Sequence, residues 1–419
     1  MKPKDFSTRR TLLRRAGIGL LAGYVAPILT GYDIARASGS GGGSGGGSGG
    51  RSRPSSPSGR QPESGRSTDW GPPELVLLAD RDLRMALRNV GYEVVQIRPV
   101  GRGILMRVRL IPGQSITEAR TDIARRFPNA LIDENTLYRP DAFECSNQQC
   151  DAHAAIGWVQ AMSNSETAKI GMIDTGVNVA HEALIGQNIK VIQADIGDRA
   201  VAGRQHGTSV AALLIGRPDS RTPGLVPRAQ LVAIEAFHQA GRREAADAYA
   251  LADALDQLIA ERVKVINLSF SGDQNTVLYA MIRRATDAGI AVVAAAGNGG
   301  AGGRPAYPAA WPEVIAVTAV DQRNKVYRHA NQGNYIDFAA PGVNLWTAAS
   351  ISGGRLKSGT SYAAPFVTAA LAVRMARNPN LPVEAHVTTL RSCTRDLGER
   401  GSDPTFGSGL ISVSNQCFG

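Results

Sequence analysis

Three short segments carry side chains able to do chemistry together: Ile173-Asp174-Thr175-Gly176, His206-Gly207-Thr208-Ser209 and Gly359-Thr360-Ser361-Tyr362-Ala363. A serine hydroxyl is a poor nucleophile at neutral pH. Acyl transfer therefore needs a base to take its proton and a third group to hold that base in one tautomer. Ser361, His206 and Asp174 are of the types that fill those three roles. A fourth residue, Asn298 in Gly297-Asn298-Gly299-Gly300, has an amide that could donate to the oxyanion of a tetrahedral intermediate beside the backbone N–H of Ser361.

These residues need elements that expose them. The apolar run 169–173 predicts a buried parallel strand with Asp174 at its C-terminal edge, where α/β sheets collect their active sites. Residues 210–215 and 363–375 predict helices buried on most sides, opened by His206 and Ser361, with Pro365 read as a first-turn residue and the serine at a positive helix end. The run 290–296 predicts a strand that aims Asn298 into a cleft. Amphipathic segments 242–262 and 276–288 supply further helices, and a parallel α/β sheet covered on both faces follows.

The order Asp, His, Asn, Ser, at spacings of 32, 92 and 63 residues, resembles that of the subtilisin-like serine proteases. Framework stretches strengthen the resemblance: Tyr307-Pro308-Ala309, Val314-Ile315-Ala316-Val317 with Asp321, and Phe338-Ala339-Ala340-Pro341-Gly342-Val343. It covers residues 141–419 and implies a three-layer α/β/α catalytic domain with a mainly parallel sheet. It also implies peptide-bond hydrolysis through an acyl-enzyme, with polypeptides as substrates and no cofactor. Ser269, Phe270, Ser271 and Gly272 stand where the family pairs with the substrate backbone as an added strand, Phe270 and Ser271 departing from its small, permissive pattern.

By the same resemblance Ala294, Ala295, Ala296, Gly297 and Ala306 line the pocket for the residue before the scissile bond. No acid occurs among them, so an apolar or aromatic preference is expected. Tyr362 replaces a Met common in the family, which should alter helix packing or the leaving-group side. The calcium loop that many members insert after the His helix has no counterpart in 216–227; no catalytic metal is expected, and a structural calcium elsewhere is left open. The same acyl-enzyme could pass to an amine, giving a ligase or cyclase, or the fold could bind peptides without turnover. Product mass separates the first alternative and covalent labelling of Ser361 the second.

The N-terminus points to export. Lys2, Lys4, Arg9, Arg10, Arg14 and Arg15 precede an apolar stretch over 16–32, and Ala35-Arg36-Ala37 is a small-residue cleavage site, so 1–37 reads as a signal peptide. Thr8-Arg9-Arg10-Thr11-Leu12-Leu13-Arg14 resembles a twin-arginine signal, the general secretory route being the alternative. The apolar stretch is short and Gly-broken, so no stable membrane insertion is expected once the signal is removed. Residues 38–69, rich in Gly, Ser, Arg and Pro, read as a flexible linker. Of the formal charge of +10, residues 1–70 hold 11 Lys and Arg against 4 Asp and Glu, leaving 35 against 32 beyond them. The basicity belongs to signal and linker, and a nucleic-acid partner loses its support.

Segments 74–78, 81–89, 92–97, 104–111, 116–127 and 130–137 read as strand, helix, strand, strand, helix, strand, with Ser115 and Glu118 as a capping box. That is a small ferredoxin-like α+β unit. Lying directly before such a catalytic domain, residues 70–140 resemble the family's propeptide, an inhibitor and folding aid that the enzyme removes itself. Processing is expected within 138–145. Cys145, Cys150, Cys393 and Cys417 fit an oxidising compartment; three pairings are possible, and the sequence-local ones, 145 with 150 and 393 with 417, are favoured. The remaining histidines, His153, His181, His238, His329 and His386, read as surface or structural.

Overall fold

Along the apolar runs, successive side chains enter two different cores. Ile170 and Met172, Val265, and Ala291 and Val293 belong to one buried cluster. Ile173, Ile266, and Val292 and Ala294 belong to another. A strand with both faces buried is what a parallel sheet between two helical layers requires. The computed structural model describes residues 73–140, 143–144, 152–158, 162, 164–165 and 167–413. The signal and linker, 1–37 and 38–69, and Cys145, Cys150 and Cys417 lie outside the described residues.

The chain begins with β1 (Glu74–Ala79), α1 (Arg84–Arg88), β2 (Glu93–Val100), β3 (Gly103–Arg109), α2 (Ile116–Arg126) and β4 (Leu131–Glu134). Their antiparallel sheet has the order β2-β3-β1-β4, the ferredoxin-like arrangement. The capping box opens α2 as expected: Ser115 Oγ accepts from Glu118 N at 3.2 Å, and Glu118 accepts from Ser115 N at 2.9 Å. Two short strands follow, β5 (Leu137–Pro140) and β6 (Phe143–Glu144), and then α3 (Ala152–Ala155).

The larger part runs β7 (Ile170–Asp174), β8 (Ile189–Gln193), α4 (Gln205–Ile215), β9 (Leu231–Glu235), β10 (His238–Ala240), β11 (Arg243–Asp247), α5 (Ala248–Ala260), β12 (Val265–Leu268), β13 (Phe270–Ser271), α6 (Thr276–Asp287) and β14 (Ala291–Ala295). It continues with β15 (Ile315–Val320), β16 (Ile336–Pro341), β17 (Leu345–Ala348), β18 (Gly354–Ser358), α7 (Thr360–Arg377) and α8 (Val383–Ser392). Seven strands form one sheet in the order β16-β15-β14-β12-β7-β9-β8, each pair parallel. Helices α4, α7 and α8 pack on one face, α5 and α6 on the other. The fold is the expected three-layer α/β/α.

Two sequence expectations are corrected. The helix predicted over 242–262 starts only at Ala248: Gly241, at φ +59°, turns the chain so that Arg243–Asp247 pairs with β10, and Asp247 Oδ1 then caps α5 by accepting from Ala250 N at 2.8 Å. Pro365 lies not in the first turn of α7 but five residues after Thr360. Lacking an N–H, it leaves the carbonyl of Ser361 without its i+4 helical donor.

The small sheet lies against α5 and α6, its Val76, Val100 and Leu105 sharing a core with Tyr249, Leu251, Val277 and Leu278. Its last strand and the loop after it also supply what helix starts lack. Asp133 Oδ2 accepts from Thr276 N at 2.8 Å, and Asn135 Oδ1 accepts from Tyr249 N at 3.0 Å. Arg98 pairs with the fully buried Asp253, while Arg107 reaches Glu74 at 3.1 Å and Asp247 at 4.0 Å.

Candidate active site

Asp174 ends β7, His206 is the second residue of α4, and Ser361 the second of α7. Asp174 Oδ1 accepts from Thr175 N at 2.7 Å and stands 2.7 Å from His206 Nδ1. The other imidazole nitrogen, Nε2, is buried and has no hydrogen-bond partner. Close contact between α4 and the turn after Asp174 depends on Gly207: a Cβ there would lie 2.4 Å from the Thr175 carbonyl oxygen, and Gly207 N instead donates to Thr175 Oγ1 at 2.8 Å.

Ser361 is held by its backbone. The carbonyl freed by Pro365 accepts from Ser269 Oγ at 2.7 Å. Ser269 Oγ accepts from Asn267 Nδ2 at 2.8 Å, and Asn267 Oδ1 accepts from Thr368 Oγ1 at 3.0 Å. All four residues are fully buried, so a closed polar chain ties the Ser361 backbone to the end of β12. Tyr362 is buried too, its ring 5.4 Å from the His206 ring at 48°, so this replacement for Met packs on the imidazole.

Asn298 follows β14 in a half-buried loop, its Oδ1 accepting from Thr360 N at 3.2 Å and Thr360 Oγ1 at 3.1 Å. With the oxygen so anchored, the NH₂ end is the one left to donate to a ligand. Asn298→Ala is expected to lower kcat about 10²- to 10³-fold with KM little altered, the loss that removing one oxyanion donor causes, read from steady-state peptide hydrolysis. A change below about threefold would remove Asn298 from the oxyanion role.

Residues predicted to touch substrate lie on neighbouring segments after β12 and β14. Ala296 and Gly297 continue from β14 toward Ala306: a Cβ at Gly297 would come within 2.7 Å of the Ala306 Cβ. Phe270 and Ser271 pair antiparallel with Pro140 and Arg139 of β5, and Tyr138 and Leu137 pair with Ala246 and Asp247 of β11. Gly272 behaves differently, exchanging hydrogen bonds with Tyr307 at 2.8 and 3.0 Å. Beyond the nucleophile, Phe143 and Glu144 of β6 pair with Ser358 and Lys357 of β18. Asp174, His206 and Ser361 are 1%, 3% and 0% exposed.

Sequence reasoning missed Thr360, Asn267 and Asn331. Asn331 braces the loop after β14, accepting from Gly299 N at 2.6 Å and donating from Nδ2 to Arg304 O at 2.8 Å. Among the other histidines, His181, His238 and His386 are buried, away from the site's chemistry. His181 Nε2 lies 3.0 Å from Gly353 O. His238 is pushed down to about 4 by burial and then by the Arg199 guanidinium, and stays neutral at physiological pH. Arg199 also pairs with the buried Asp247 and holds its carboxyl below the usual range against the opposing effect of burial. Cys393 is disulfide-bonded. Among the described residues no group of three or more His, Cys, Asp or Glu could hold a metal ion, and no helix is long and apolar enough to cross a membrane.

The sequence model of the Subtilase family matches residues 165–409, which contain all four residues of the site. Subtilisin DY of Bacillus licheniformis is 31% identical over 258 residues, 58% of this chain and 89% of that protein. The minor extracellular protease Epr of Bacillus subtilis is 30% identical over 59% of this chain but only 38% of its own length, and the thermophilic serine proteinase of Bacillus sp. (strain AK1) 35% identical over 54% of its length. This chain thus spans about half or less of those two relatives. Fervidolysin of Fervidobacterium pennivorans, described as a keratinolytic enzyme related to subtilisin, shares the fold at a TM-score of 0.69 and 20% identity, over 84% of this chain and 61% of that one. With its parallel sheet, its Asp174–His206 pair and the matched span, the chain belongs to the subtilase family.

Proposed function

We propose that this subtilase is an exported serine endopeptidase, made as a proenzyme that processes itself, with residues 70–140 as its propeptide. Ser361 attacks the scissile carbonyl while His206 takes its proton, and His206 then gives that proton to the leaving amine. Asp174 holds the imidazole through Nδ1 and stabilises its charged form. Asn298 Nδ2 and the Ser361 N–H receive the oxyanion. The observation that carries the reading is the pairing of the chain's own strands: β5 lies between β11 and β13, close in sequence to Ser269, whose Oγ holds the Ser361 carbonyl, and β6 lies on β18, which leads into the helix carrying Ser361. Strands that pair with extended backbone near the serine suit a polypeptide substrate. Export rests on the pattern of residues 1–37, and a relative bearing the name extracellular protease agrees with it.

The test is a fluorophosphonate probe applied to the full chain, followed by mass analysis. Label is expected on Ser361, and more slowly on the uncut chain if residues 70–140 occupy the site as an inhibitor. Label equal in wild type and His206→Ala, or absent from both, would sink the nucleophile assignment.

A further inference from the structure

We propose that Asn267, Ser269 and Thr368 are positioning residues that couple the seating of a polypeptide on β13 to the placement of the Ser361 hydroxyl. The proposal rests on the reading of residues 269–272 as the strand that pairs with substrate, and adds a route from that strand to the nucleophile. The direction of the route follows from what each group can donate. The Ser361 carbonyl can only accept, so Ser269 Oγ, 2.7 Å away, directs its single proton there. Ser269 Oγ must then accept from Asn267, which presents Nδ2 at 2.8 Å. That turns Asn267 Oδ1 toward Thr368, whose hydroxyl donates at 3.0 Å. Asn267, Ser269, Ser361 and Thr368 are all fully buried, so bulk water does not replace a lost link.

One end of the route meets the pairing strand. Ser269 is followed directly by Phe270 and Ser271, which pair with Pro140 and Arg139 of β5, so backbone lying there bears on the segment that Ser269 opens. The other end lies in α7, where Thr368 follows Ser361 by two turns on the same helix face. Pro365 stands between them and removes the donor that would hold the Ser361 carbonyl within the helix. Ser361 therefore takes its place from the end of β12 as well as from α7. A displacement of 1 Å at a reacting group costs about 10²-fold in rate. Backbone seated on β13 thus acts on the rate of the chemical step as well as on binding.

Two peptides with the same leaving group, carrying one and four residues before the scissile bond, are hydrolysed by the full chain and its variants. Rates are expressed per serine titrated with fluorophosphonate. The wild type is expected to gain about tenfold in kcat on lengthening. In Thr368→Val, which keeps the volume and loses the hydroxyl, that gain should fall below about threefold, with KM for the long peptide within about twofold of wild type. Thr368→Ser should restore the gain. Ser269→Ala should lose it as fully, and the double variant no more, since the links act as one chain. A Thr368→Val chain that keeps the gain, or that raises KM alone, overturns the coupling. A gain lost equally in Thr368→Ser overturns it too, because the hydroxyl is then not the cause. If Thr368→Val does not fold, Ser269→Ala decides by the same ratio, a kept gain again overturning the proposal. A wild type that cuts both peptides with equal kcat overturns the coupling together with the strand reading, and leaves the protease assignment standing.

Discussion

Ser361→Ala is expected to lower peptide hydrolysis by about 10⁶-fold, the loss known for the nucleophile of subtilisin, with KM little changed. About 10³-fold acceleration over water should survive, because the oxyanion donors and the pairing strands remain. His206→Ala should cost about as much, and the double variant no more than either, since the two act as a unit. Covered active sites complicate the comparison, so each chain carries a recognition sequence for an unrelated cysteine protease between residues 140 and 143, and the small domain is removed from all before kcat is measured. Losses that multiply in the double variant would show that the two residues do not share one proton.

Asp174→Asn should lower kcat by about 10⁴-fold while the chain still folds and binds peptide. The cause is the tautomer. Asp174 Oδ1, 2.7 Å from His206 Nδ1, can only accept, which fixes the proton on Nδ1 and leaves the buried Nε2 as a base. An asparagine amide can offer an N–H to Nδ1 instead, moving the imidazole proton to Nε2, where it blocks transfer from Ser361. The rate of fluorophosphonate labelling should fall in parallel with kcat, and a fall of less than about tenfold in either would exclude the orienting role.

Much of this site was legible because its residues sit where the local pattern changes. Asp174 ends an apolar run, His206 and Ser361 open apolar helices, and Asn298 follows an Ala-rich strand, so residue type and element boundary coincide. What was not legible depends on partners far away in sequence. Ser269 and the Ser361 carbonyl it holds are 92 residues apart, and Asn267 and Thr368 are 101 apart. Nothing local marks Thr360 as the anchor of Asn298. The strands β6 and β13 are two residues long, too short for any periodicity, and they exist because another strand lies beside them. The mistaken helix start before Ala248 has the same origin: Arg243–Asp247 has neighbours on both edges, β10 and β5, and sheet pairing outweighs helical propensity there.

The seating of β5 between β11 and β13 has a consequence in mass action. A strand joined to its groove by an unbroken backbone competes at an effective concentration of order millimolar, whatever the dilution of the protein. An outside peptide of micromolar affinity, present at micromolar levels, then scarcely enters. On the self-processing reading, once the backbone opens the strand and its small domain hold on through the β11 and β13 ladders and the α5 and α6 interface alone, and their occupancy falls as the solution is diluted. On that reading latency would change from a property of the single molecule to one of concentration, so protein stored densely would stay quiet and become active as it disperses.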